Sequence, residues 1–148
     1  MYKNILVTTD GSELAERGVK HAIELAKSTG AALTAVIVTT PFDMFHLPEG
    51  KVTLMPELQA QHEERQRAFA TQVLNKVSSA AKAAGVAVET LHVEHDQPYE
   101  GIIDTANKKA SDVIVISSHG RSGLSSLMLG SVTQKVLVHS KVPLLVCH

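Results

Sequence analysis

The stretch from Asp112 to Val138, DVIVISSHGRSGLSSLMLGSVTQKVLV, constrains the fold of this chain more than any other. It opens with a run of β-branched apolar residues, Val113 to Ile116, which reads as a strand. A loop with glycines at 120, 123 and 130 follows, then Ser131 and a helical pattern. Strand, glycine-rich loop and helix N-terminus in direct succession suit anion binding. Glycines let the backbone come close to a ligand, and the helix start adds unpaired N–H donors and the positive end of a dipole. Phosphate is the usual anion in such a place. Two well-known phosphate loops are excluded, since neither Gly-Lys-Ser/Thr nor G-x-G-x-x-G occurs anywhere in the chain.

The remaining segments alternate. Asn4 to Thr8 reads as a short buried strand, and Asp10-Gly11-Ser12-Glu13 as a turn that can cap the next helix through Asp10 or Ser12. Glu13 to Ser28 is helical, with Ala15, Val19, Ala22, Ile23 and Ala26 on one stripe, and Gly30 ends it. Residues 32–39, ALTAVIVT, are apolar on both faces, as in a strand covered by helices on both sides. Residues 40–56 carry three prolines and exposed-looking Phe42, Met44, Phe45 and Leu47. They read as a long surface loop, either a variable insertion or a lid or partner contact. Glu57 to Ala84 is a long helix with Leu58, Phe69, Val73, Val77, Ala80 and Ala84 as its apolar positions. Residues 86–93 form a more exposed strand, and Pro98 opens a helix with Ile102, Ile103 and Ala106 inside. Residues 112–117 are the next strand, 131–139 a helix, and Leu144 to Cys147 the last strand.

This alternation implies an α/β fold, an open and mostly parallel five-stranded sheet, doubly wound and Rossmann-like, with helices on both faces. A length of 148 residues suggests one domain over 1–148. A formal net charge of −1 gives no electrostatic basis for non-specific nucleic-acid binding, and 3% aromatic content argues against stacking platforms for single strands. No segment approaches the roughly 20 apolar residues that span a bilayer. No signal-peptide pattern is present, and the single Cys147 fits a reducing compartment, so a cytoplasmic location is expected.

Gly120, nine residues, then Gly130-Ser131, together with the start MYKNILVTTDGSELA and the end VPLLVC, resemble the universal stress protein family (UspA-type domain) over essentially the whole chain. The ATP-binding branch of that family carries G-x-x-G, nine residues, then G-S/T. The resemblance implies a strand order of 3-2-1-4-5, which puts the switch point between strands 1 and 4, where open α/β sheets take their ligands. It implies an ATP site built from Thr8, Thr9, Asp10, Val38, Ser117, Ser118, His119, Gly120, Arg121, Ser122, Gly130, Ser131 and Val132. Gly120, Gly130 and Ser131 resemble the phosphate-loop residues, with backbone donation at Gly120 and Gly130-Ser131. Asp10 resembles the residue that meets the ribose hydroxyls or adenine; the helix-cap role remains open beside it. Val38 resembles the residue whose backbone pairs with adenine. Arg121 can place its charge on the phosphates or in solvent, and His119 can touch a phosphate or fix the loop. Ser117 stands where the family pattern has glycine, and Asp96 where it often has glycine in Gly-x-Pro.

His92 and His95 are three apart, which in a strand faces them oppositely and argues against a metal pair. G-x-S-x-G is absent. No residue set for a positioned water and a metal clamp is readable at the site, so hydrolysis is expected to be slow or absent; Mg²⁺ can arrive with ATP. The expectation is an ATP-binding, nucleotide-responsive regulatory or stress-tolerance module. By resemblance it is a homodimer through residues 142–147, where an apolar edge strand would otherwise stay open, with room for an unidentified protein partner. The alternatives are a dimeric interaction protein that binds no nucleotide, and a weak ATPase related to the adenine-nucleotide hydrolases.

Overall fold

A computed structural model describes residues 1–43, 55–121 and 128–148. Its elements are β1 (Asn4–Thr8), α1 (Glu13–Thr29), β2 (Ala32–Thr39), α2 (Met55–Ala83), β3 (Val88–Glu94), α3 (Pro98–Lys108), β4 (Val113–Ser117), α4 (Ser131–His139) and β5 (Leu144–Cys147). The five strands form one parallel sheet in the order β3-β2-β1-β4-β5, as expected.

The unbroken apolar runs of β1, β2 and β4 follow from this layering. Side chains alternate across a strand, so each strand serves two cores. Ile5, Val7, Leu33, Ala35, Val113 and Val115 face α1 and α2, where they meet Val19, Ala22, Ile23 and Ala26 with Val77 and Ala81. Leu6, Val36, Ile114 and Ile116 face the other way, against Ile102 and Ala106 of α3 and Val136 of α4. The edge strand β3 is only half-buried, which is why its sequence is interrupted by Glu89 and His92.

Helix boundaries follow local chemistry. Ser12 is the N-cap of α1, its hydroxyl accepting from Ala15 N at 3.2 Å. Gly30, at φ 71°, closes α1 by donating its amide to Ala26 O. The helix α2 begins at Met55, earlier than expected, with Pro56 at a first-turn position where no intrahelical donor is lost. Its buried stripe also differs from the expected one. Ala70, Val73, Leu74, Val77 and Ala81 are inside, whereas Ala80 is exposed. The cause is Ile37 of β2, against which Leu74 and Ala70 pack and thereby set the rotation of α2. Along α3 the buried residues are Gly101, Ile102, Thr105 and Ala106, with Ile103 only partly covered. Residues 44–54 of the 40–56 loop, and with them the lid or partner-contact reading, lie outside the described residues.

Candidate functional site

β1 and β4 are neighbours at the centre of the sheet, yet their chain continuations lead to opposite faces. A crevice therefore opens beyond their C-terminal ends. The backbone there is pinned: Thr9 N donates to Val36 O at 3.0 Å, and Ser118 N donates to Cys147 O at 2.8 Å. Between these pins lies a cavity of about 240 Å³ bounded by described residues. Ten of the thirteen residues named from the sequence line it: Thr8, Thr9, Asp10, Val38, Ser117, Gly120, Arg121, Gly130, Ser131 and Val132. Ser118 and His119 are instead buried, the His119 Nδ1 2.9 Å from the Ser118 hydroxyl. Ser122 lies outside the described residues.

Asp10 organises the mouth. One carboxylate oxygen accepts from Ser12 N at 2.9 Å, which fixes the turn into α1. The other accepts from Arg121 N at 2.9 Å, which ties the glycine loop to β1 across 111 residues of sequence. Asp10 is therefore a turn and loop anchor, while the helix cap falls to Ser12. Gly120 makes this contact possible, because a Cβ there would lie 2.7 Å from the same Asp10 oxygen. At Gly130 a Cβ would come within 3.3 Å of His119 Cα and Ser118 O. Both glycines thus keep the loop backbone close to itself and to Asp10.

The donors differ from those expected. The Gly130 amide is engaged by Ser118 O at 2.7 Å and cannot serve a ligand in this arrangement. Gly130 is the N-cap of α4 without a side-chain cap bond, and Gln134 N is the first amide to bond back to Gly130 O. The amides of Ser131, Val132 and Thr133 precede that bond and have no partner among the described residues, beside the positive end of the helix dipole. The Gly120 amide also has no partner among the described residues. Ser117 fits without strain: its φ is negative, its hydroxyl donates to His119 O at 2.9 Å, and its carbonyl accepts from Thr133 Oγ1 at 2.8 Å. Arg121 lays its guanidinium over the Phe69 ring of α2, 4.8 Å from the centroid.

Four lining residues were not named from the sequence: Pro98, Ile102, Ile116 and Thr133. With Val38 they give one side of the cavity an apolar wall. Ile102 and Ile116 read as core because they are core, and each also ends at the crevice. Gly101 was the available signal. A glycine inside a helix often marks a close approach, and a Cβ there would lie 2.9 Å from Val38 Cγ1. The two histidines after β2 go separate ways: His92 Nε2 lies 2.7 Å from Thr39 Oγ1, while His95 accepts from Gln97 N at 2.9 Å. Cys147 is buried in the core on the α1 side of the sheet, and that burial pushes its thiol pKa up.

Comparison with known proteins gives a consistent result. The family model described as "Universal stress protein family" matches residues 1–148. The chain is 37% identical over 147 residues to universal stress protein MJ0531 of Methanocaldococcus jannaschii, covering 99% of this chain and 82% of that protein. Its fold superposes on the solved structure of protein MJ0577 with a TM-score of 0.82 at 27% identity, over 99% of this chain and 96% of that one. A universal stress protein solved in complex with cAMP superposes with a TM-score of 0.72 at 26% identity, over 99% and 97%.

Proposed function

The chain belongs to the universal stress protein family, and from that premise we propose that it binds ATP in the crevice beyond β1 and β4 and acts as a nucleotide-responsive regulatory module. The observation that carries this reading is the pair Gly120, where a Cβ would clash with Asp10, and Gly130, where one would be tightly crowded, set beside the amides that open α4 without partners among the described residues. That is a cradle for phosphate oxygens. The apolar side of the cavity, Val38, Ile102 and Ile116, suits a purine ring. The relative that holds cAMP adds support for an adenine nucleotide.

In this proposal the Ser131, Val132 and Thr133 amides, the Gly120 amide and the Ser131 hydroxyl receive the phosphates. The Val38 backbone meets the adenine edge. Asp10 accepts from the ribose hydroxyls while holding the loop. Arg121 leaves Phe69 to reach phosphate. Asp10 is the one carboxylate among the described lining residues, and two backbone amides already engage it. It is thus poorly placed as a general base, which supports binding with little or slow hydrolysis. Mg²⁺ would come with ATP, held chiefly by its phosphates. The cavity, at about 240 Å³, is smaller than the ~300–1,000 Å³ of a typical ligand site, so binding is expected to widen it. A homodimer through β5 belongs to the same proposal, supported by the exposed apolar side chains Leu137, Val138 and Leu145. If nucleotide does not bind, that surface favours the second reading, a dimeric interaction protein.

Calorimetric titration of ATP, with and without Mg²⁺, into the chain stripped of nucleotide tests the proposal. Micromolar binding that is lost in Gly130→Val is expected. No binding by the native chain would refute it and leave the interaction reading.

A further inference from the structure

A second cavity, of about 870 Å³, lies between α1 and α2 on the other side of the Asp10 turn. Its origin is visible in side-chain volumes. At one end the two helices are tied together: Gly11 sits against Val73 and Phe69, and Lys76 of α2 reaches Glu16 of α1 at 3.7 Å. Both helices lead into parallel strands and so run in the same direction. Beyond the Glu16–Lys76 pair the slot is lined by Lys20 and Glu24 from α1 and by Ala80, Ala83 and Ala84 from the end of α2. Alanines are too short to fill the gap that Val19 and Ile23 leave between the helices, so a slot stays open along α2 from Phe69 to Ala84. At 1.5 Å per residue that is about 22 Å long.

We propose that this slot binds a monomeric long-chain carboxylate, its acyl chain lying on Val19, Ile23, Val77 and Ala80 and its carboxylate meeting the Lys20 ammonium. Val19, Ile23 and Val77 keep only 5, 4 and 4% exposure, so they form the deep floor of the slot, which a single flexible chain can follow. The volume falls within the ~300–1,000 Å³ of small-molecule sites, and the walls are apolar with polar groups confined to the rim. The rim charges place the head. Lys76 is held by Glu16, whereas Lys20 has no carboxylate within ion-pair distance among the described residues. An anion is drawn to Lys20 at the end of the slot where Glu16 is already neutralised by Lys76, while one at the Ala84 end would meet Glu24. Each buried methylene contributes about 0.8 kcal/mol, so chain length sets affinity and Lys20 sets the choice of head group.

The site is separate from the nucleotide crevice, so its test does not depend on that reading. Dodecanoate below its micellar concentration is titrated calorimetrically into the nucleotide-free chain, with dodecyltrimethylammonium as the probe of equal chain and opposite head. Saturable 1:1 binding of dodecanoate is expected, unchanged in Gly130→Val. Ala80→Trp, an exposed position whose new ring fills the slot, should weaken it at least tenfold while the circular dichroism spectrum stays native. Lys20→Glu should weaken dodecanoate by about fivefold and improve the cationic probe. Amide shifts on titration should cluster at Val19, Ile23 and Val77. Absence of saturable binding, or full affinity in Ala80→Trp, overturns the site. An unaltered head-group preference in Lys20→Glu overturns the carboxylate assignment. Retention of the chain by vesicles of anionic phospholipid, with no binding of free dodecanoate, overturns the monomeric ligand in favour of a membrane surface.

Discussion

Gly120 is where a single atom decides the geometry of the crevice beyond β1 and β4. Alanine there would put Cβ 2.7 Å from an Asp10 oxygen whose carboxylate is already fixed by Ser12 N. Asp10 cannot swing away without losing the turn into α1, so the loop must move and the Arg121 N–H contact is lost. Gly120→Ala is therefore expected to weaken ATP at least tenfold, with stability reduced by only ~1 kcal/mol, the worth of one hydrogen bond. Calorimetry and thermal melting on the same sample separate the two, and an unchanged affinity would remove Gly120 from the site. Cys147 supports a different prediction. Its thiol is buried and its pKa lies above the ordinary 9.0 because burial penalises the thiolate. Iodoacetamide should label it slowly in the native chain and stoichiometrically in denaturant. The pH dependence has a definite sign. Below pH 9 both states carry the neutral thiol and stability is unaffected; above it the unfolded thiol ionises first. Stability is thus lost as pH rises through the interval between the unfolded and folded values, and Cys147→Ala should show a shallower loss there in urea titrations.

At the scale of elements, the sheet's two-sided burial and the caps of α1 carry separable energies. Leu6 is fully buried in the central strand, packed on the α3 and α4 side, so Leu6→Ala should cost about 2–5 kcal/mol. Ser12→Ala removes only the cap bond to Ala15 N and should cost about 1 kcal/mol. Urea unfolding would read both, and equal losses would contradict the layered core. The same contrast explains what could be read in advance. The runs NILVT, ALTAVIVT and VIVIS announce doubly covered strands because no polar residue interrupts them, and the stripe 15-19-22-23-26 announces the inward face of α1. The face of α2 was illegible at its C-terminal half, since alanines at 70, 80, 81, 83 and 84 carry almost no facial information and Ile37 decides which turn inward. In the crevice, residue types and spacing marked where the glycine loop and Asp10 would meet. They could not reveal that the Gly130 amide is engaged by Ser118 O, or that Thr133 ties α4 to Ser117, because those bonds depend on how the backbone folds back on itself.

At the scale of the whole molecule, one edge of the sheet is ill suited to water. Among the described residues β5 pairs with β4 alone, so its other side presents an open strand edge there. Beside it Leu145, Leu137 and Val138 keep 37, 53 and 75% exposure, an apolar strip running from the strand onto α4. A two-fold axis beside β5 would let the same strip cover itself, each Leu145 lying near its own copy. Such an interface needs roughly 800 Å² from each partner to be stable, so β5 and the outer side of α4 would form its centre rather than its whole extent. The net charge of −1 opposes association only weakly. The native chain is therefore expected to elute as a homodimer, with a mass near twice 15.9 kDa by light scattering. Leu145→Glu would place like charges close together across the axis and bury them, and paired with Val138→Asp it should shift the chain to monomer at micromolar concentration. Both positions are exposed in the single chain, so the monomer should keep its fold and its melting cooperativity. The crevice beyond β1 and β4 is lined by residues of one chain, so on the proposed function ATP should bind the monomeric variant within about threefold of native affinity, the scale of a weak coupling. A native chain that is monomeric by light scattering would refute the dimer. A dimer that persists in the double variant would place the contact elsewhere than β5 and α4.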